Sequence, residues 1–379
     1  MNMIVVCSEW QTIRNRPIPY FDVFLFSYSL SMEQSGAEMH KLNGQTSLSI
    51  EAIEMTLKET KSVVRFEEFF DQIRKKPTYV ILGPQGSGTN FVSRILQRAL
   101  GFSVTVDRSL IVNSAAALCR EPNLARGKAE AKRVVQALFP SAVRKRLLSK
   151  RYWNKVENYM GIQDYVHHAY VDSPSDFASF FYCYHAFVNN RTEKGIKSDD
   201  IWENLELLPQ IIPNYRVLLL VRDPRDNAIS IMKKNFGPCE IYYASQYVRK
   251  RLDAYVGFAD RRPDLALPIR YEDLLVDPLS VAQKIASFVE MPLPEDLTDK
   301  VGQIKIRPNR SKKWAALSQR DLAVTETVFR DYLDRFGYQC GADESLDPSQ
   351  LGLAQRKFID YRRRIPQKVA VMTRRFVRG

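Results

Sequence analysis

Apolar residues fall along this chain in alternating short runs and helical spacings. Thr78–Leu82 is a β-rich apolar run that passes directly into Gly83-Pro84-Gln85-Gly86-Ser87-Gly88-Thr89-Asn90, and Phe91, Ile95 and Leu96 then recur at helical spacing. Arg216–Val221 is apolar after its first residue and shows no polar alternation, the pattern of a strand buried on both faces of a parallel sheet. It runs into Arg222-Asp223-Pro224-Arg225-Asp226, where Pro224 suits the first position of a helix. Leu267–Arg270 is a third short run, ahead of Tyr271-Glu272-Asp273, and a helical pattern follows Pro278. Ser318-Gln319-Arg320-Asp321 resembles a capping box and opens a helix carrying Leu322, Phe329, Leu333 and Phe336, with Gly337 as its stop signal. Buried strands alternating with helices predict a three-layer α/β fold around a central parallel sheet.

The first 76 residues have another texture. Residues 1–48 hold no sustained period, whereas Ile50–Arg74 reads as a helix through Ile53, Leu57, Val64 and Phe70. Met32 offers an alternative start, which would set residues 1–31 apart as a loose arm or as no part of the natural protein. The expected division is an N-terminal extension at 1–76, partly helical or loose, one domain at 77–340, and a basic tail at 341–379.

Composition narrows the class. Apolar residues at 45% and charged residues at 26% are globular values that exclude disordered and fibrous chains. The longest apolar stretch, Tyr20–Leu30, is too short for a bilayer and includes Asp22. No secretory signal pattern opens the chain, and its five cysteines lie far apart without CxxC spacing, so a reducing cytoplasm is expected. Lys and Arg outnumber Asp and Glu by 56 to 43, a net charge of +13 that points to an anionic ligand or surface.

The glycine loop supplies the first chemistry. A turn from strand to helix with three glycines in six residues lets the backbone approach a ligand and aims amide N–H groups at one point, where a phosphate fits. Ser87 and Thr89 add hydroxyl donors. The GxxxxG spacing matches a nucleotide loop, but Thr89-Asn90 stand where a triphosphatase carries Lys-Ser/Thr, which argues against ATP or GTP hydrolysis.

Val217 to Ser230 resembles the 3′-phosphate-binding strand and helix of sulfotransferases that use 3′-phosphoadenosine 5′-phosphosulfate (PAPS). Arg222 and Ser230 have the arginine-to-serine spacing of that family, eight residues. Ser87-Gly88-Thr89 is similar to the core of its 5′-phosphosulfate loop, and Ile269 to Pro278 to its later R-Y-E-D-L-x-x-D-P junction. The resemblance, which spans 77–337, implies a P-loop-like phosphosulfate-binding loop with PAPS as donor and no metal. It implies donor contacts from Gly86, Ser87, Gly88, Thr89, Asn90, Arg222 and Ser230. Two departures stand out. Gly86 replaces the family's common Lys or Arg, and Asn309-Arg310-Ser311-Lys312-Lys313-Trp314 lacks the glycines of the stretch that closes over the nucleotide; Arg310, Ser311 and Trp314 are still expected near the donor.

Sulfuryl transfer needs a base for the acceptor and positive charge on the leaving phosphate. By the same resemblance, Lys197, 25 residues before Arg222, is the candidate electrophilic lysine. Asp199, Asp164, His167 and His168 are alternatives for the base, against structural roles such as capping at Asp199-Asp200 or packing at His167-His168.

Charge outside the motifs suggests partners. Residues 120–155 hold eleven Lys/Arg against two acidic residues, which suits an acidic glycan or lipid acceptor as well as a solvated helix face. Nine basic residues alternate with apolar ones over Arg356–Arg378, so the expected tail is either disordered or peripheral to a membrane. No nucleic acid partner is expected. The overall expectation is a PAPS-dependent sulfotransferase acting on a hydroxyl or amine, with a lysine-less P-loop kinase and a non-catalytic polyanion binder on the same scaffold as the alternatives.

Overall fold

The computed structural model describes residues 40–42, 45–47, 66–107, 110–121, 173–198, 201–234, 236–305, 311–343 and 355–363, with a few positions between 123 and 133 and at 352. The chain forms two compact units, Met1–Arg65 and Phe66–Gly379. In the first, β1 (His40–Leu42) and β2 (Gln45–Ser47) pair as an antiparallel hairpin.

The second unit is built on five strands: β3 (Thr78–Leu82), β4 (Ser103–Asp107), β5 (Lys194–Ser198), β6 (Tyr215–Val221) and β7 (Ala266–Arg270). They lie in the order β4-β5-β3-β6-β7 and all pair in parallel. Helices follow the strands: α1 (Thr89–Arg94), which passes into a π-helical turn at Ile95–Ala99, α2 (Leu110–Arg120), α3 (Pro174–Val188), α4 (Pro224–Met232), α5 (Ile241–Asp260), α6 (Tyr271–Val276), α7 (Pro278–Phe288) and α8 (Gln319–Arg335). Tyr79, Ile81, Leu218 and Leu220 bury one face of the sheet against Val92, Ile95, Leu96, Ala282 and Ile285. Val80, Leu82, Val217, Leu219 and Val221 are buried on the other. This is the expected α/β fold with a central parallel sheet. Among the described residues no helix is long and apolar enough to cross a membrane.

Packing differs from the expected division of the chain at both ends. Phe66 and Phe70 belong to the core: the Phe66 ring meets Phe180 and Tyr184 edge-on, with centroids 6.0 and 5.6 Å away. At the other end, a helix through 355–363 is fastened to the body. Arg356 pairs with Glu240 and with Asp321, and the Asp360 carboxylate accepts a 2.7 Å hydrogen bond from the Cys239 N–H. The rest of the proposed helix at Ile50–Arg74, before Phe66, lies outside the described residues.

β4 and β5 answer to no strand expected from the apolar pattern. β5 is Lys-Gly-Ile-Lys-Ser, yet every residue of it is buried. Lys194 is accommodated because its ammonium donates to the carbonyls of Ile73 and Lys76 at 2.5 and 2.6 Å, at the C-terminal end of the helix through 66–73. A cation there answers the partial negative charge of helix carbonyls. Burial pulls its pKa down to about 8.

Candidate active site

The carboxyl ends of β3 and β6 bring the two predicted anion sites to one rim. At β3, the chain turns through Gly83–Gly88 with the Ser87 N–H bonded to the Pro84 carbonyl at 3.0 Å, and α1 begins at Thr89. Gly88 has φ +104°, and a Cβ there would stand 2.5 Å from two ring atoms of Tyr271, so only glycine fits. A Cβ on Gly86 (φ +93°) would lie 2.9 Å from Asn227 Oδ1 and 3.2 Å from Ser230 Cβ. The loop therefore packs directly on α4, with Gly86 against Asn227 and Ser230. The Ser87 hydroxyl is fully buried and has no hydrogen-bond partner among the described residues, and the same holds for the Asn227 carboxamide oxygen. Such groups are costly unless something else satisfies them. Thr89 is buried at the first position of α1, and Asn90 beside it is exposed.

β6 ends at Val221, and the next residue, Arg222, is buried and bonds to both the loop and α4. Its guanidinium donates to the Gly86 carbonyl at 2.8 Å, meets Asp226 at 3.2 Å, and lies 4.7 Å from the centroid of the Tyr271 ring. Asp226 in turn accepts the Trp314 N–H at 3.1 Å. Burial pushes the Asp226 carboxyl above its usual range, against the pull of Arg222. One turn further along α4, the Ser230 hydroxyl donates to the Asp226 carbonyl at 2.8 Å and accepts from Lys313 Nζ at 2.9 Å.

Lys313 is the site residue that sequence reading passed over. It opens a 3₁₀ turn (Lys313–Ala316), entered through Lys312 in the left-handed conformation at φ +56°. That turn is held by the Asp226 bond and by the Trp314 ring, which lies 4.0 Å from the Arg225 guanidinium carbon. Arg225 is itself buried between Asp223 at 2.8 Å and Glu326 at 2.5 Å. Trp314 thus anchors the turn through its backbone and ring, and the cation it brings to the site is its neighbour. The two adjacent lysines before the tryptophan were the available signal. Ser311 lies half-buried at the start of this segment, and Arg310 falls outside the described residues.

The expected R-Y-E-D junction knits the rim together. Tyr271 fills the space between Gly88 and Arg222, while Glu272 accepts the Asp223 N–H at 3.2 Å and the Tyr338 hydroxyl at 2.7 Å. Burial raises the Glu272 carboxyl above its usual range.

Lys197 lies on β5 in register with Ile81, two residues ahead of Gly83. Neighbouring strands stand about 4.8 Å apart, so its backbone is one strand spacing from the strand that feeds the loop. It is buried. Asp199, Asp164, His167 and His168 lie outside the described residues, as does most of 120–155. His185, on α3, is committed elsewhere: its Nδ1 lies 2.6 Å from the Ser103 hydroxyl at the amino end of β4.

Among solved structures, the chain is similar to sulfotransferase STF9 from Mycobacterium avium, at 13% identity and a TM-score of 0.44 over 83% of this chain and 97% of that one. It is also similar to the sulfotransferase domain of the Synechococcus PCC 7002 olefin synthase, at 17% identity and a TM-score of 0.41 over 70% and 96% of the two chains. A search of curated proteins finds no match. The profile of the sulfotransferase family matches residues 77–295. That match takes in the glycine loop, Lys197, Arg222, Ser230 and the Tyr271-Glu272 junction, more than half of the chain, and the chain belongs to the sulfotransferase family.

Proposed function

We propose that this protein transfers a sulfuryl group from PAPS to a hydroxyl or amine of an acceptor. What supports a doubly anionic donor is that the glycine loop and the start of α4 lie on one rim, joined by the Arg222 bond to the Gly86 carbonyl. The donor, when bound, supplies an activated sulfuryl group and leaves as adenosine 3′,5′-bisphosphate. Gly86, Gly88 and the buried Ser87 hydroxyl would receive its 5′ end, with Thr89 and Asn90 presenting the amide groups that a helix start leaves without internal partners. Arg222, Ser230 and Lys313 would hold its 3′-phosphate, a charge-assisted set of donors. Lys197 would oppose the negative charge that grows on the oxygen losing the sulfuryl group, a charge larger in the transition state than before it. The base for the acceptor is drawn from Asp199, His168, His167 and Asp164. An acidic glycan or lipid acceptor fits the basic character of 120–155.

Calorimetry with adenosine 3′,5′-bisphosphate and AMP tests the donor. The bisphosphate is expected to bind at least about tenfold tighter, the worth of roughly one charge-assisted contact. Lys313→Ala and Ser230→Ala should each shrink that advantage. Arg222→Ala is a less clean probe, because it leaves the Asp226 carboxylate buried without its partner. Equal affinity for the two nucleotides would remove the PAPS assignment.

A further inference from the structure

The helix through 355–363 has two unlike faces. Arg356 and Asp360, one turn apart, are buried and fasten it to Glu240, Asp321 and Cys239. Its remaining residues, Gln355, Lys357, Phe358, Ile359, Tyr361, Arg362 and Arg363, are exposed. Asp360 is the only carboxylate of the segment and is turned inward, so the outward face carries cations and apolar side chains with no acidic group of its own. Phe358 is 64% and Tyr361 67% exposed, three residues apart and hence neighbours on the helix surface.

We propose that this surface docks on an anionic lipid bilayer, with Phe358 and Tyr361 at the headgroup boundary and Lys357 and Arg362 against the lipid phosphates. Charge complementarity selects the occupant: the face is cationic on a chain of net charge +13. Its large apolar side chains distinguish a bilayer from a soluble polyanion, because exposed rings between cations gain from an apolar boundary layer and gain nothing from a sulfate or phosphate chain. Fastening by Arg356 and Asp360 means that the rings are presented in fixed positions, so no ordering of this helix is required on contact.

The test is co-sedimentation of the full chain with vesicles of phosphatidylcholine and phosphatidylglycerol in a two-to-one ratio, and with phosphatidylcholine alone. The mixed vesicles should retain the protein, in a salt-sensitive manner, and the neutral ones should not. Phe358→Ser/Tyr361→Ser should weaken binding by at least about tenfold, since two rings leave the boundary, and Lys357→Glu/Arg362→Glu should do the same. All four positions are exposed, and urea unfolding of each double variant checks that the body is unchanged. The proposal is overturned by absence of binding to the mixed vesicles, or by binding equally well to a DNA duplex or heparin. It is also overturned if the aromatic variant binds as wild type while charge reversal abolishes binding, which would describe a general polyanion surface.

Discussion

Lys197 occupies a position that a buried parallel strand would ordinarily give to an apolar side chain. Keeping an ammonium there costs desolvation energy, and its register sets it beside Ile81, two residues before the loop. Gly86 brings no cation to the loop, and at φ +93° with Asn227 and Ser230 against it, a side chain there would be strained. Lys313 is bonded to Ser230, and under the proposed function the charge of the departing oxygen falls to Lys197. Lys197→Ala is expected to lower turnover by about 10²–10³-fold with little change in bisphosphate affinity, the mark of a contact made mainly in the transition state. Lys197→Arg should recover only part of the rate, because a planar fork does not replace a compact charge. Steady-state kinetics beside calorimetry decide it, and turnover of the alanine variant within about threefold of wild type would sink the idea. Individual residues were legible unevenly. Arg222 and Ser230 stand out in the sequence only through their resemblance to a family motif, whereas the glycine loop shows itself in the strand–turn–helix pattern. Lys313 does not, because its place depends on Asp226 and Arg225 holding a turn whose own residues follow no pattern.

Elements were legible where burial follows composition. β3 and β6 read as apolar runs because both faces of each are covered by apolar groups. β5 could not be read this way: both of its lysines are buried, and Lys194 is satisfied by the carbonyls of Ile73 and Lys76, more than a hundred residues before it in sequence. β4, Ser-Val-Thr-Val-Asp, is an edge strand whose polar alternation is weak evidence in so short a run. Its contact with α3 carries a pH prediction. His185 is buried on α3 against the Ser103 hydroxyl, and burial pulls its pKa down to about 4 from 6.5. Between those values the unfolded chain takes up a proton that the folded chain refuses. The neutral ring's contribution is therefore complete above pH 6.5 and is lost as pH falls toward 4, about 3 kcal/mol in all. Urea unfolding from pH 7 to pH 4 should show this decline, and His185→Gln, though less stable at pH 7, should show a shallower one. Parallel curves for the two proteins would mean that other groups control the acid limb.

Across the described residues, the expected strands at Thr78–Leu82, Tyr215–Val221 and Ala266–Arg270 and the helices after them are present, and the packing of the ends differs from the expected division. A tail rich in Lys and Arg reads as solvated because those residues are seldom buried, yet Arg356 is buried: its carboxylate partners, Glu240 and Asp321, lie more than thirty residues before it in sequence. Glu240 has a second duty, capping α5 by accepting the Tyr242 N–H at 2.9 Å, so the C-terminal helix and the start of α5 share one carboxylate. A deletion beginning at 356 would consequently remove part of the folded body along with the basic residues. Removing one member of a buried pair leaves the other charge uncompensated, which typically costs about 3–5 kcal/mol, while exposed substitutions fall within about 0.5 kcal/mol. Arg356→Ala should therefore lower the unfolding free energy by roughly 3 kcal/mol or more. Arg362→Ala, six residues on and exposed, should leave it within about 0.5 kcal/mol of wild type. Calorimetric affinity for the bisphosphate, measured where both variants are folded, should stay at the wild-type value, because Arg222, Ser230 and Lys313 make their contacts without the C-terminal helix. Equal unfolding free energies for Arg356→Ala and Arg362→Ala would show that the helix through 355–363 is an appendage, and that Glu240 is satisfied by its capping bonds alone.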